Sequence, residues 1–349
     1  MINPFTNREY SEKSKEQRLK IAGYPASDPL VIEELKQKFK NNDVLIVRAA
    51  TGAGKGVVIA TEIMKLLNLN NEEVQSVNKV VITEPRSLNT HLADYLNEVY
   101  EVNIFGRAYR GDNRINAGTR LDFVTDGYLL NFFYKDITLP QYYTIIIDEV
   151  HERSKNIDML LLFCRRALKN GIKKKIILMS ATIDLDYYKN YFKDFSTATM
   201  DIEGMTHPIK DIYLKSEEDF LTQSIKLAKV LTGKFKETIL IFLTSAAELK
   251  KACKAIDSNC YELHKGTPTQ IKETLASKDE SKIIFSTNVA ESGITLKDIK
   301  HVIDCGRSYK SKFNPEEEMY ELKMEFISKA EILQRRGRTG RTSPGTCYH

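Results

Sequence analysis

Thr144-Ile145-Ile146-Ile147-Asp148-Glu149-Val150-His151-Glu152 runs three β-branched apolar residues straight into two adjacent carboxylates. Such a run reads as a strand buried on both faces, of the kind parallel sheets use, and its C-terminal edge delivers charge into the crevice where α/β folds bind ligands. Asp148 is placed to hold Mg²⁺, directly or through water, and Glu149 to accept a proton from a water attacking a phosphate. Taken alone, the pattern fits a strand that ends in solvated acids equally well. An upstream stretch decides between the two.

That stretch is Ala49-Ala50-Thr51-Gly52-Ala53-Gly54-Lys55-Gly56, preceded by apolar Val44-Leu45-Ile46-Val47 and followed by Val57-Val58-Ile59-Ala60. Strand, Gly-rich turn with Lys, then helix is the arrangement in which the backbone from Thr51 through Gly52, Ala53, Gly54 and Gly56 cradles phosphates at a helix N-terminus, while Lys55 reaches the outer ones. The pattern departs from the usual phosphate loop at both ends. Ala49 replaces the first Gly, and Gly56 stands where a Ser or Thr hydroxyl normally ligates Mg²⁺. A water filling that coordination position predicts a raised Mg²⁺ requirement, which Gly56→Ser or Gly56→Thr lowers unless the loop needs a positive φ there.

With both motifs present, the chain resembles the DEAH/DExH-box helicases of superfamily 2, with Asp148-Glu149-Val150-His151 as the box. The resemblance continues in family order through Thr83-Glu84-Pro85-Arg86, Thr125-Asp126-Gly127, Ser180-Ala181-Thr182, Phe242-Leu243-Thr244-Ser245, Ser286-Thr287-Asn288-Val289-Ala290-Glu291 and Gln334-Arg335-Arg336-Gly337-Arg338-Thr339-Gly340-Arg341. Any one of these is common by chance; seven in order are not. The last resembles most the viral members, flaviviral and poxviral.

The resemblance implies two RecA-like lobes, each a parallel sheet flanked by helices, facing across a nucleotide cleft. It implies ATP or another NTP with Mg²⁺ as cofactors, His151 as part of the nucleotide site, Gln334 orienting the attacking water, and Arg338 and Arg341 as arginine fingers. Ser180 and Thr182 couple the nucleotide state to lobe motion. Arg86, Thr125, Thr244 and Thr287 match positions that touch a sugar–phosphate backbone, and Arg110 and Arg114 lie in a turn resembling an Arg-bearing one on the strand path. Out of that frame, isolated Thr residues are helix caps or turns. The implied activity is an RNA helicase or translocase moving 3′-to-5′ as a monomer on single-stranded RNA or tailed duplex. Two alternatives stay open: a protein of this fold that binds RNA and nucleotide with little hydrolysis, and a DNA-directed member. An aromatic platform for the base, expected near Gln270 to Leu275, is not evident, which leaves base selectivity open.

The rest of the chain bounds this reading. Its 349 residues suffice for two domains, and Lys+Arg 52 against Asp+Glu 47 leaves a mild +5, which fits a nucleic-acid groove without arguing for one. Five cysteines without CxxC or metal-like spacing read as reduced thiols of a cytoplasmic or nuclear protein, or one of a viral factory, rather than a secreted one. No apolar run reaches the length of a membrane span.

Alternation of strand and helix predicts strands at 44–47, 80–83, 122–125, 144–147 and 176–180, then at 237–243, 282–286 and 301–304. The expected organisation is a flexible segment over 1–24, a first lobe over 25–205 and a second over 206–349, with accessory domains continuing beyond. Two short aromatic and polar runs around Pro315-Glu316-Glu317-Glu318 predict a β-hairpin, either a strand-parting element or, as its acidic turn favours, an ordinary surface hairpin.

Overall fold

The computed structural model describes residues 3, 5–6, 8–50, 53–69, 79–84, 86–204, 207–215, 219–256, 259–276, 281–291, 296 and 298–349. The chain divides into two units, Met1–Gly204 and Met205–His349.

The first unit is built on eight strands: β1 (Val44–Ala49), β2 (Lys79–Thr83), β3 (Phe105–Tyr109), β4 (Asp112–Asn113), β5 (Leu121–Val124), β6 (Tyr142–Ile147), β7 (Lys175–Ser180) and β8 (Thr197–Ile202). Their spatial order is β4-β3-β5-β2-β6-β7-β1-β8, and every pairing is parallel except that of β3 with β4. Side chains alternate between the two faces, so each central strand feeds two cores. Leu45, Val47 and Ile146 enter one; Val44, Ile46, Ile145 and Ile147 enter the other. Burial on both faces is why these strands read as unbroken apolar runs.

The second unit repeats the plan with β9 (Ile209–Ile212), β10 (Thr238–Phe242), β11 (Cys260–Leu263), β12 (Ile283–Ser286), β13 (Ile299–Asp304) and a last strand, β16 (Gly345–Tyr348). Their order is β11-β12-β10-β13-β16-β9, all parallel. Ile239 and Ile241 of β10 enter one core, Leu240 and Phe242 the other. The expected hairpin is β14 (Arg307–Asn314) paired antiparallel with β15 (Met319–Phe326).

One arginine locks the strand ends of this second sheet. Arg335 is 0 % exposed; its Nε donates to Glu291 Oε1 at 2.6 Å and its Nη1 to Asp304 Oδ1 at 2.7 Å, while its guanidinium lies 4.8 Å from the Phe242 ring centroid. Phe242 ends β10, Asp304 ends β13 and Glu291 follows β12.

Two expectations are corrected. The segment expected to be flexible over 1–24 carries structure in its described part, where Glu12–Ala22 is a helix whose N-cap, Ser11, accepts from the Ser14 N–H. Tyr10 is buried before it, and Arg18 lies over the rings of Tyr10 and Tyr100 at 4.4 and 5.0 Å. Cation–π packing leaves no apolar stripe for a periodicity search to find. The cysteines are not all thiols either: Cys253, at the end of the helix Ala246–Lys254, is disulfide-bonded to Cys260 at the start of β11, with Cα atoms 5.6 Å apart. Among the described residues no helix is long and apolar enough to cross a membrane.

Arg335→Ala leaves two carboxylates buried without their cation, so the full chain is expected to lose about 3–5 kcal/mol of stability in its second unit. Urea denaturation followed by tyrosine fluorescence measures this, and an unchanged midpoint contradicts the structural role.

Candidate nucleotide and nucleic-acid sites

The sheet order brings four segments of the first unit together. β6 lies between β2 and β7, and β7 lies beside β1, so the segments leaving β1, β2, β6 and β7 are neighbours at the C-terminal edge. The phosphate loop leaves β1, Glu84 follows β2, Asp148-Glu149 follow β6, and Ser180 ends β7.

Lys55 opens the helix Lys55–Leu69. Its Nζ donates to Glu149 Oε1 at 2.7 Å and stands 3.0 Å from Asp148 Oδ1. The Asp148 N–H in turn donates to Thr83 Oγ1 at 3.1 Å, which fixes the box to the end of β2. Glu149 takes a left-handed backbone, φ 50° and ψ 39°, uncommon for a side-chain-bearing residue and frequent at functional sites. Its N–H donates to Asp148 Oδ1 at 2.8 Å.

Charge within this cluster is out of balance. Burial raises Asp148 to about 6 against the pull of Lys55, with Glu149 adding to the rise. Burial also raises Glu84 well above the ordinary carboxylate range; the Asp148 charge adds to this and Lys55 opposes it. For Lys55, burial disfavours the ammonium, but Asp148 and Glu149 outweigh it and raise its pKa. Three carboxylates around one ammonium are short of positive charge, and all the donors are hard oxygens. The set therefore fits a divalent cation such as Mg²⁺.

The two ends of the loop behave differently from expectation. Gly54 has φ +79°, and a Cβ there would lie 2.6 Å from the Tyr24 ring. Gly56 is not in the left-handed region, so no positive φ forbids a side chain. Space limits it instead: a Cβ on Gly56 would collide with Glu84 Oε1 and lie 3.8 Å from Asp148 Oδ2. Restoring Ser or Thr therefore displaces a carboxylate rather than filling an empty corner. Thr51 and Gly52, expected in the cradle, lie outside the described residues, as does the side chain of Arg86.

The ring of His151 turns toward β7, with Nδ1 2.7 Å from Ser180 Oγ and 3.3 Å from Glu149 Oε2. Ser180 Oγ also accepts from the Thr182 N–H at 3.1 Å. The box and the Ser180–Thr182 pair are thus joined by hydrogen bonds, a link that neither motif displays alone.

Among the arginines of the expected turn the structure discriminates. Arg107 is buried on Asp94 and Asp112, and Arg114 lies 3.6 and 3.7 Å from the same two carboxylates. Arg110 instead lines a concavity of about 820 Å³ together with Tyr109, Asn113, Thr125, Tyr128 and Asn131. In the second unit, Thr244 serves its own helix: its N–H and Oγ1 both donate to Glu248 Oε2, at 2.9 and 2.6 Å. Thr287 begins the turn after β12, and its N–H donates to the Leu263 carbonyl at 3.1 Å.

The four arginines after Gln334 separate in the same way. Arg335 is the core lock, and Arg336 pairs bidentately with Asp211 at 2.8 and 2.9 Å. Arg338 is buried, and Arg341 donates from Nε to the Gly337 carbonyl at 2.9 Å. Burial lowers the Arg341 pKa to about 10, and its Nη2 is buried with no hydrogen-bond partner among the described residues.

Comparison with known proteins agrees with this geometry. The family described as DEAD/DEAH box helicase matches residues 30–190, and that described as helicase conserved C-terminal domain matches residues 222–343. A putative ATP-dependent RNA helicase of Acanthamoeba polyphaga mimivirus is 32% identical over 99% of this chain and 52% of its own length. The ATP-dependent RNA helicase HrpA of Borreliella burgdorferi is 33% identical over 90% of this chain and 40% of its own. The solved DEAH/RHA helicase HrpB of Escherichia coli superposes with a TM-score of 0.79 at 25% identity, covering 94% of this chain and 42% of that one. The chain thus spans about half the length, or less, of these relatives.

Gly54→Ala is expected to destabilise the first unit by about 1–3 kcal/mol, the cost of a left-handed backbone on an L-residue. Gly23→Ala is the control, because its φ is −79° and its nearest neighbour would lie at 3.4 Å. Equal unfolding midpoints for the two variants in urea contradict the strained turn.

Proposed function

Because the chain belongs to the DEAD/DEAH box helicase family, we propose that it is an RNA-stimulated NTPase that couples hydrolysis of ATP or another NTP to movement along, or unwinding of, RNA. The observation that carries this reading is Lys55 held between Asp148 and Glu149 at the mouth of a phosphate loop. An ammonium already desolvated and paired with carboxylates exchanges them for phosphate oxygens without being stripped of water again.

Each step falls to a residue of this chain. The N-terminus of the helix Lys55–Leu69 and the loop N–H groups bind the polyphosphate, and Lys55 orients its outer end. Asp148 and Glu149 would hold Mg²⁺, which when bound would supply neutralisation of the charge developing on the transferred phosphoryl group. Glu149, freed from Lys55, accepts the proton of the attacking water. His151 passes the change at Glu149 to Ser180 and Thr182 through the hydrogen bonds described above.

Gln334 is proposed to orient the water, and Arg338 and Arg341 to neutralise phosphate charge. The buried, unpartnered Nη2 of Arg341 supports an anion as its missing partner. The concavity around Arg110 and Thr125 supports backbone contact with a nucleic acid, as does the exposed aromatic ribbon of Tyr309, Phe313 and Tyr320 on the hairpin. Contacts of these kinds read little sequence, and one polypeptide acting alone suffices for them.

Phosphate release with Mg²⁺, in the presence and absence of single-stranded RNA, tests the proposal directly. Glu149→Gln is expected to retain nucleotide and RNA binding while turnover falls by orders of magnitude, since the amide keeps the shape but accepts no proton. Near-normal turnover removes Glu149 from the mechanism.

Arg341→Ala is expected to leave nucleotide binding measurable and to lower turnover by about 10³-fold, the scale of a lost phosphate-facing arginine. Loss of RNA binding in the nucleotide-free protein instead assigns Arg341 to the nucleic acid.

A further inference from the structure

Gly56 and Glu84 are far apart in the chain and in contact in the fold. Glu84 follows β2, which lies beside β6, and its side chain points across the end of the sheet into the space beside the phosphate loop. That space exists only because position 56 has no Cβ. The side chain that a hydroxyl residue would carry there is replaced by the Glu84 carboxylate, with Asp148 Oδ2 3.8 Å from the same point.

Glu84 is only 5 % exposed, and among the described residues its carboxylate has no hydrogen-bond or ion-pair partner. Burying an unpaired carboxylate is costly, and a group so placed is retained where something else supplies the missing charge. Lys55 does so only in part: its charge opposes the rise of the Glu84 pKa, but its ammonium is paired with Asp148 and Glu149. A hard divalent cation bound by Asp148 does supply it, and it accepts oxygen ligands of either kind, hydroxyl or carboxylate.

We infer that the Glu84 carboxylate is a ligand of the divalent cation in this nucleotide site, taking the position of the hydroxyl that Gly56 lacks. The inference rests on the nucleotide-site reading above and extends it to a residue outside the two motifs that define that site. It also reverses the meaning of Gly56. The glycine does not leave a gap in the coordination shell; it makes room for a stronger, charged donor.

Mn²⁺, which replaces Mg²⁺ on oxygen ligands and is visible by electron paramagnetic resonance when free, tests this on the whole chain without any turnover. Wild type, Glu84→Gln, Asp148→Asn and the double variant Gly56→Thr with Glu84→Ala are each titrated with Mn²⁺ alone. Glu84→Gln is expected to weaken Mn²⁺ binding by about tenfold or more, the scale of a disturbed metal shell. The double variant, in which Ala at position 84 vacates the space that a Thr hydroxyl then enters, is expected to recover most of that loss.

An Mn²⁺ affinity equal to wild type in Glu84→Gln overturns the inference. So does a double variant that binds Mn²⁺ no better than Glu84→Gln, because the loss is then one of net charge and not of a ligand position. Asp148→Asn separates the levels: if it alone weakens binding, only the assignment of Glu84 falls, whereas if neither single variant moves the isotherm, the nucleotide-site reading falls with it.

Discussion

The first unit depends on one buried ammonium. Lys55 opens the helix after the phosphate loop, and the carboxylates that fix it, Asp148 and Glu149, arrive from a strand two places away in the sheet. Neither partner is tolerable alone in that setting. A desolvated lysine without the acids loses its proton, and the acids without the lysine are left as adjacent like charges under burial. The pair is also incomplete in a useful way, since one cation does not balance three carboxylates. A site of this kind is stable enough to be preformed and short enough of charge to demand a ligand.

The second unit uses the same arrangement, a buried cation between two carboxylates, for a different end. There a fully buried guanidinium gathers Glu291 and Asp304 over the face of Phe242. Two carboxylates make Arg335 structural, while Arg341 in the same basic run is held only by the Gly337 carbonyl and has no carboxylate partner among the described residues, which leaves it wanting an anion. Within QRRGRTGR the division of labour between scaffold and chemistry is therefore set by which guanidinium the fold has already paired, not by position in the motif.

Much of this was legible beforehand, and what was not failed for physical reasons. Central strands such as β1 and β6 announce themselves because burial on both faces demands unbroken apolar runs. β3 and β11 do not, since Gly106-Arg107 interrupts one and Cys260-Tyr261-Glu262-Leu263 is a half-buried edge. The helix Glu12–Ala22 escaped because it is held by aromatic and cation contacts rather than by a stripe. The Cys253–Cys260 bond escaped because its spacing matches no recognised pattern; a helix running back along a neighbouring strand brings the two together. The site residues were readable as motifs, whereas their partners were not: nothing in the sequence joins His151 to Ser180, or Thr244 to Glu248 rather than to a phosphate.

Glu84 and Gly56 mark the limit of reading positions one at a time. Judged by itself, Gly56 is a missing ligand and Glu84 an unremarkable acid after a strand. The parallel sheet makes them a single feature, because strands laid side by side place successive loops in contact however far apart they are in the chain. A small residue on one loop then measures the space available to a large one on the next. The loss of a hydroxyl on the first is informative only together with the carboxylate on the second, and a departure from a motif at such an edge calls for a search of the neighbouring loops before it is counted as a defect.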